Sequence, residues 1–258
     1  MSFVPDSSLV AAVLPSPNHG ERREGVAVDM ILLHYTGMPS AEAALQRMCT
    51  AASEVSAHYT VCEDGKIIQL VPEERRAWHA GSGSWAGETD INSVSIGIEI
   101  VNPGHDGGYP DFPSRQIAAV TILCRGIMVR KGIAPERVLA HSDTAPARKQ
   151  DPGEKFPWRV LARSGVGIWV EPEPIIEHGP FHSLGDSGPA VADLQRQLAG
   201  IGYGLAETAR YDGETMAVVA AFQRHYRPMR VDGIADPSTL RTVAARLAAA
   251  PALAPTAT

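Results

Sequence analysis

The proline-rich segment Glu171-Pro172-Glu173-Pro174 divides the chain into two parts with different sequence patterns. Alternating proline and acid disfavours both helix and sheet, because proline fixes φ and has no backbone N–H to donate. Apolar strand-like runs alternate with helical periodicity before this segment, and short helical stretches separated by glycine turns follow it. We therefore predict a domain over residues 1–170, a linker over residues 171–182 and a second domain over residues 183–250.

The first part of the chain combines strand and helix patterns. Two strands around the turn at Gly65 indicate a hairpin, which requires antiparallel pairing. Alternation of strands and helices elsewhere favours parallel pairing, so the predicted fold class is α/β, a mixed central β-sheet flanked by helices. The predicted strands cover residues 26–33, 58–61, 66–71, 94–101 and 138–140, and the predicted helices run from Ser40 to about Ala52 and from Ser114 to Lys131.

A loop–helix unit recurs three times in the second part of the chain. It predicts a small all-α three-helix domain of roughly 65 residues, which is large enough to fold alone. The tail after Ala250 is expected to be disordered. The apolar positions of the three helices are Val191, Leu194 and Leu198, then Val218, Val219 and Phe222, then Leu240, Val243 and Leu247.

Composition excludes several classes of protein. A net charge of -6 without a basic run argues against a nucleic-acid-binding protein. No apolar stretch reaches the roughly 18 residues needed to span a membrane. The three cysteines form no C-x-x-C pair, so we expect small buried hydrophobes rather than a disulfide framework or a cysteine metal site. The oligomeric state is left open.

Three residues form a candidate metal site. His34 follows the apolar run Met30-Ile31-Leu32-Leu33, and His141 and Asp151 lie in one segment rich in proline and glycine. Two histidines and a carboxylate can hold a catalytic zinc ion that keeps one position open for water. Spacing alone supports this weakly, because His34 could be a core histidine at a strand end and Asp151 a turn or helix-cap residue.

Two charged residues are candidates for catalysis beside such a metal. Glu99 lies among apolar neighbours, where an unpaired carboxylate is costly, so it needs a partner or a chemical purpose. A general acid/base is one such purpose, and a salt-bridge partner is the alternative. Lys149 could stabilise an oxyanion, or could be a solvated surface charge.

Other histidines compete for the same roles. His58 and His79 are rival metal ligands on chemistry alone. We interpret His58 as mainly structural, whereas Trp78 and Gly81 suggest an open loop around His79 where a ligand could stack. The remaining histidines have no partner signature and are expected at the surface: His19, His105, His178, His182 and His225.

Taken together, these motifs resemble the zinc-dependent N-acetylmuramoyl-L-alanine amidases of the type-2 amidase family. The matching segments are Ser16-Pro17-Asn18, Leu33-His34-Tyr35-Thr36, Val55-Ser56-Ala57-His58-Tyr59, Ala77-Trp78-His79-Ala80-Gly81, Ser95-Ile96-Gly97-Ile98-Glu99 and the segment from His141 to Gly153. The second part resembles the type 1 peptidoglycan-binding domain through Leu184-Gly185-Asp186-Ser187-Gly188, Asp212-Gly213-Glu214-Thr215 and Asp232-Gly233-Ile234.

The resemblance implies a role for each candidate. One Zn²⁺ would be held by His34, His141 and Asp151, Glu99 would be the general acid/base, and Lys149 would stabilise the transition state. It removes His58 from the ligands. Ala147 stands where the family often has glycine. Candidates for substrate contacts are His79, Trp78, Asn102 and Arg148.

The implied reaction is hydrolysis of the amide between N-acetylmuramic acid, or its 1,6-anhydro form, and L-alanine of the peptidoglycan stem peptide. Peptidoglycan or a muropeptide is the expected partner, in cell-wall recycling or remodelling. Alternatives are a non-catalytic peptidoglycan-recognition protein and another zinc peptidoglycan peptidase. Met1–Asp6 lacks the features of a secretory signal, which favours the cytoplasm, whereas the wall-binding resemblance favours the periplasm.

Overall fold

A computed structural model describes residues 3–176 and 178–249 of the chain. The strands are β1 (Val10–Val13), β2 (His19–Gly20), β3 (Met30–Tyr35), β4 (Tyr59–Val61), β5 (Ile67–Gln69), β6 (Arg76–Ala77), β7 (Ser95–Ile100) and β8 (Val138–Ala140). The helices are α1 (Ala41–Cys49), α2 (Ile91–Val94), α3 (Ser114–Lys131), α4 (His141–Thr144), α5 (Trp158–Ala162), α6 (Pro189–Ile201), α7 (Gly213–Tyr226) and α8 (Pro237–Ala248).

Six strands form one mixed sheet in the order β1-β5-β4-β7-β3-β8. Strands β4 and β5 form the antiparallel hairpin predicted around Gly65, and the other neighbours pair in parallel. Strands β2 and β6 form a separate antiparallel pair. The predicted fold class, a mixed sheet with flanking helices followed by a helical region, is confirmed.

Alternation along β3 directs its side chains to two different cores. Ile31 and Leu33 pack on the face covered by α3, whereas Met30 and Leu32 pack on the opposite face. Successive side chains of a strand point to opposite sides of the sheet. His34 therefore continues the face of Met30 and Leu32, at the carboxyl end of the strand.

Helix α3 covers one face of the sheet. It has the predicted bounds, although Pro113 rather than Ser114 is the cap residue, and it ends at Gly132, whose φ of 69° is the left-handed conformation that glycine favours. Its apolar stripe packs against the β7 residues Ile96, Ile98 and Ile100. The stripe consists of Ile117, Val120, Leu123, Cys124 and Ile127.

Short elements are the ones that sequence periodicity missed. Strands β1, β2 and β6 and helices α2, α4 and α5 have two to five residues each, too few for a period of 2.0 or 3.6 to be visible. The predicted strand over residues 26–33 is shifted, because β3 begins at Met30 and pairs with β7 as far as Tyr35.

Helices α6, α7 and α8 occupy the three predicted loop–helix units. Asp212 caps α7 by accepting a hydrogen bond from the Thr215 amide, and Asp236 caps α8 by accepting one from the Thr239 amide. Each bond satisfies a helix N–H group that has no partner within the helix. The Asp-Gly and Asp-Pro turns of the sequence are therefore helix starts.

The three C-terminal helices pack directly against the sheet. Met30, Leu32 and Leu139 share one apolar core with residues of all three helices. The segment after α5 is also held, since Glu173 accepts a hydrogen bond from the Ser238 hydroxyl and donates one to Thr242, both in α8. The helical residues of this core are Val191, Leu194, Leu198, Ile201, Val218, Val219, Ala221, Phe222, Tyr226 and Val243.

Within residues 3–176 and 178–249, each helix is too short or too polar to cross a bilayer. Cys62 and Cys124 are buried, Cys49 is half-buried, and all three are free. The disorder expected after Ala250 concerns residues outside the described ranges.

Gly202 allows a close approach between the two parts of the chain. Its φ is +132°, and a Cβ atom there would lie 2.5 Å from the Trp85 ring. We expect Gly202→Ala to lower the free energy of unfolding by about 1–3 kcal/mol more than Gly188→Ala, because overpacking displaces the ring. Gly188 has a similar φ of +125°, and no described atom lies within 4 Å of its Cβ position. Urea unfolding measures the difference, and equal losses in both variants would contradict the tight contact.

Candidate metal centre and catalytic cleft

The site residues converge at the carboxyl ends of three parallel strands. His34 lies near the end of β3, Glu99 near the end of β7, and His141 directly after β8. His34 and Glu99 are paired neighbours in the β3–β7 register. Ligand sites of open α/β sheets form at this edge, where side chains from neighbouring strands meet.

His34, His141 and Asp151 form a buried triangle of donor atoms. The His34 Nδ1–His141 Nδ1 distance is 2.9 Å, and each of these nitrogens lies 3.0 Å from Asp151 Oδ2. A tetrahedral ion with bonds of about 2.0–2.1 Å holds its ligands roughly 3.3 Å apart, close to the observed separations. The three residues could therefore hold a metal ion.

Hydrogen bonds on the far side of each imidazole set its tautomer. His141 Nε2 donates to the Ala80 carbonyl at 2.8 Å, which leaves the lone pair of Nδ1 directed into the triangle. His34 Nε2 lies 3.0 Å from His79 Nδ1. If His34 donates there, His79 Nε2 donates onward to the Ser95 hydroxyl at 3.3 Å, and that hydroxyl donates to the Ile91 carbonyl. This series of hydrogen bonds orients the His34 ring, as hydrogen bonds to the second ring nitrogen commonly orient metal-binding histidines.

Gly97 makes room for this support. It lies on the same face of β7 as Ser95 and Glu99, and a side chain there would collide with the His79 ring. Burial and the neighbouring His34 lower the pKa of His79 well below its ordinary value, so the ring is neutral and can accept a hydrogen bond on one nitrogen while donating on the other.

The protonation states of the triangle suit a cation. Burial, reinforced by His141, lowers the pKa of His34 to about 4. Burial by itself would raise the pKa of Asp151, but the adjacent His141 and His34 outweigh it and hold that pKa well below the usual range. At neutral pH the triangle therefore presents a neutral His34 and an ionised Asp151, which are the forms that bind metals.

Glu99 faces the same space with an unused oxygen. Its Oε2 is buried and has no hydrogen-bond partner among the described residues. Burial, together with the Asp151 charge, raises the pKa of Glu99 well above its ordinary value, and Lys149 opposes the shift. A raised pKa makes the carboxylate a stronger base, so this side chain can accept a proton and later pass it on, as a general acid/base requires.

A cleft of about 410 Å³ joins these groups. Lys149 and Glu99 line it together with the three residues of the triangle, so the ammonium, the carboxyl and the triangle share one cavity. The other wall residues include Tyr35, Thr36, Arg47, Met48, Ser56, Trp78 and His79. The arrangement can bind a cation, exchange a proton and stabilise negative charge at one place.

The four predicted substrate-contacting residues fall into two groups. Trp78 and His79 line the cleft, and His79 also supports His34. Asn102 does not line this cleft in the described chain, because its buried amide donates to the Pro110 carbonyl and accepts from the Gly104 N–H. Arg148 donates to the Ala80 and Ser82 carbonyls and lines a separate groove of about 280 Å³. Asn102 and Arg148 thus both hold loop backbone, and their contact with substrate stays a prediction.

Of the histidines outside the triangle, His58 has the structural role that we predict, whereas His225 does not lie at the surface as predicted. His58 is structural, since its Nδ1 accepts from the Gly97 N–H and its Nε2 donates to the Arg75 carbonyl. The prediction that His225 lies at the surface is wrong, because it is 1% exposed and bonded to Asp143. Its burial arises from packing between the two parts of the chain, which the sequence of α7 alone does not reveal.

Comparison with known proteins now adds a family to this geometry. The family model described as N-acetylmuramoyl-L-alanine amidase matches residues 24–154, just over half of the chain. This chain belongs to the N-acetylmuramoyl-L-alanine amidase family. The membership confirms the expected family and enzyme class. The peptidoglycan binding domain model PG_binding_1 matches residues 187–243.

Relatives of this amidase family match over both parts of the chain. N-acetylmuramoyl-L-alanine amidase AmiD of Escherichia coli strain K12 is 37% identical over 229 residues, which cover 82% of this chain and 79% of AmiD. The AmiD structure in complex with anhydro-N-acetylmuramic acid-L-Ala-D-gamma-Glu-L-Lys has a TM-score of 0.73 at 34% identity, covering 88% of this chain and 92% of that one. Pseudomonas aeruginosa AmpDh3 in complex with anhydromuramic pentapeptide has a TM-score of 0.68 at 31% identity, covering 95% and 97%.

His79→Ala tests the support of His34 in this amidase. We expect the variant to bind zinc about tenfold more weakly, because His34 loses the partner that fixes its tautomer. Competition with a chromogenic chelator measures the dissociation constant. His19→Ala, which removes a half-buried histidine of β2, is the control and should keep the affinity of the unmodified protein. Unchanged affinity in His79→Ala would mean that His34 needs no such support.

Proposed function

We propose that this protein uses one zinc ion, held by His34, His141 and Asp151, to hydrolyse the amide between N-acetylmuramic acid and L-alanine of the stem peptide. The observation that carries the proposal is the buried donor triangle, whose three atoms lie 2.9–3.0 Å apart. It shares the cleft with a Glu99 oxygen that has no hydrogen-bond partner within residues 3–176 and 178–249. The proposed setting is cell-wall recycling or remodelling.

Zinc fits the donor set better than Mg²⁺ or Ca²⁺ does. Two imidazole nitrogens and one carboxylate oxygen are typical ligands of catalytic zinc, whereas Mg²⁺ and Ca²⁺ prefer oxygen ligands alone. When bound, zinc supplies a Lewis acid that acidifies water and polarises a carbonyl group. The protein's contribution is to fix the three ligands and to leave the remaining side open to the cleft.

Glu99 and Lys149 are proposed to do the proton transfer and the charge stabilisation. Glu99 takes the proton from the attacking water and then gives it to the nitrogen of the leaving L-alanine, which departs as a free amine. Lys149, in the same cleft, faces the carbonyl oxygen that becomes negative and stabilises that charge.

Both the relatives and the cleft support a muropeptide substrate. The AmiD and AmpDh3 structures hold anhydromuramyl peptides. Another relative, AmpD of Citrobacter freundii, is a 1,6-anhydro-N-acetylmuramyl-L-alanine amidase and is 32% identical over 163 residues, covering 56% of this chain and 84% of AmpD. Trp78, half-exposed in the cleft wall, offers a ring face on which a sugar or methyl group can pack.

Identification of the bond that the protein cleaves is the first test of this function. Incubation with anhydro-muropeptides should release intact stem peptides that begin with L-alanine, and removal of the metal by a chelator should abolish the release until zinc is restored. Mass spectrometry of the products identifies the bond. Loss of D-alanine alone would instead show a carboxypeptidase, and binding without cleavage at full zinc occupancy would show a recognition protein.

Glu99→Gln tests the acid/base role separately from metal binding. We expect turnover to fall by about 10²–10⁴-fold, because an amide cannot exchange the proton. Zinc content should stay at one ion per chain, because Glu99 is not one of the three donors of the triangle. Turnover and metal content are measured on the same preparation, and loss of zinc in this variant would assign Glu99 a different role.

A further inference from the structure

Asp143 is a buried carboxylate that the proposed mechanism does not use. It lies on α4, two residues after His141, and is 1% exposed. Its Oδ1 accepts a hydrogen bond from the Tyr203 hydroxyl at 2.7 Å, and its Oδ2 accepts from the Ala140 amide at 2.9 Å and from His225 Nδ1 at 2.7 Å. Three donors therefore converge on one carboxylate.

Two of these donors come from the C-terminal helical part of the chain. Tyr203 follows α6, and His225 lies near the end of α7. The His225 ring is stacked between Trp158, at a centroid distance of 3.8 Å, and Tyr226, at 3.9 Å. This packing holds His225 Nδ1 toward α4.

Tyr203 is held in the same way. The Trp85 ring packs edge-on against the Tyr203 ring, at a centroid distance of 4.9 Å. The Ala86 amide donates to the Gly202 carbonyl at 2.7 Å. Burial, together with the Asp143 charge, raises the pKa of Tyr203 well above its ordinary value, so its hydroxyl remains a donor.

Two features of the structure support His141, and both are in contact with the C-terminal part of the chain. The first is the backbone of α4, which begins at His141 and is tied to Tyr203 and His225 through Asp143. The second is the loop that supplies the Ala80 carbonyl to His141 Nε2. That loop continues through Ser84 to Trp85. The Ser84 amide donates to the Thr144 carbonyl, and the Trp85 ring packs against Tyr203.

The hydrogen bonds that the buried Asp143 carboxylate accepts are costly to lose. Loss of one donor leaves a buried acceptor less satisfied, and the neighbouring backbone must shift or admit water to compensate. The backbone nearest to Asp143 is α4 itself, which carries His141.

We propose that the C-terminal three-helix domain is a structural component of the metal centre, in which Tyr203 and His225 hold Asp143 and thereby position α4 and the ligand His141. Asp143, Tyr203 and His225 are positioning residues. The part of this inference that concerns the metal rests on the proposed function, whereas the part that concerns α4 does not. A peptidoglycan-binding module that acted only as a tether would have no effect on the metal.

Tyr203→Phe tests this role with little change in shape. It removes one hydroxyl from a tyrosine that is 2% exposed. The matched control is Tyr211→Phe, which removes the hydroxyl of a tyrosine that is 1% exposed in the same domain and donates to the Gly233 carbonyl at 2.7 Å. His225→Phe is the second variant, because it keeps an aromatic ring between Trp158 and Tyr226 and removes the Nδ1 donor.

Three measurements are compared among these variants. We expect Tyr203→Phe and His225→Phe to bind zinc about tenfold more weakly than Tyr211→Phe. They should also show faster hydrogen exchange at the amides of residues 141–145, and lower kcat on small anhydro-muropeptides, which need no anchoring to a polymer. Rescue of kcat by excess zinc would indicate that weaker metal binding is the cause.

Equal zinc affinity and equal exchange at α4 in all three variants would overturn the inference. If the unmodified protein binds no zinc, the proposed function fails. Exchange at α4 in the metal-free protein still decides whether Tyr203 and His225 hold this helix.

Discussion

The contact of two imidazoles with one carboxylate in a nearly closed space is the constraint on which the rest of the site depends. Asp151 is 6% exposed, and its Oδ2 lies 3.0 Å from both His34 Nδ1 and His141 Nδ1. Two imidazole nitrogens and a carboxylate oxygen that point at one place favour a cation between them. The far nitrogen of His141 donates to the Ala80 carbonyl, which directs the lone pair of its Nδ1 into the triangle. The far nitrogen of His34 lies 3.0 Å from His79, and donation to His79 directs the His34 lone pair to the same place.

The sheet explains why these particular residues meet. His34 and Glu99 share one face of neighbouring parallel strands, and β8 leads directly into His141. The opposite face carries Ile31, Leu33 and the β7 isoleucines, which anchor the strands against α3. Because the strands are buried on both faces, a slip of one residue in register would move His34 into the apolar core. The same packing that stabilises the fold therefore fixes the chemistry.

Much of this arrangement could be predicted from the sequence, but the contacts that hold the site residues and their loops in place could not. The runs that became β3, β7 and α3 are long enough to show their periods, and the motifs around His34, His141 and Asp151 point to one family. The role of His79 depends on the absence of a side chain at Gly97, because a Cβ atom there would collide with the His79 ring. Asn102 and Arg148 are predicted to contact substrate, and the sequence does not show that hydrogen bonds to loop carbonyls hold both side chains. The burial of His225 depends on Trp158 and Asp143, more than 60 residues away in sequence, and no local pattern records such a contact.

Anomalous X-ray diffraction at the zinc absorption edge, from crystals of the purified protein, tests the central claim most directly. A single strong peak about 2.0–2.2 Å from His34 Nδ1, His141 Nδ1 and Asp151 Oδ2 is the expected result. A peak held by other side chains, or a zinc-saturated crystal without a peak among these three atoms, would contradict it.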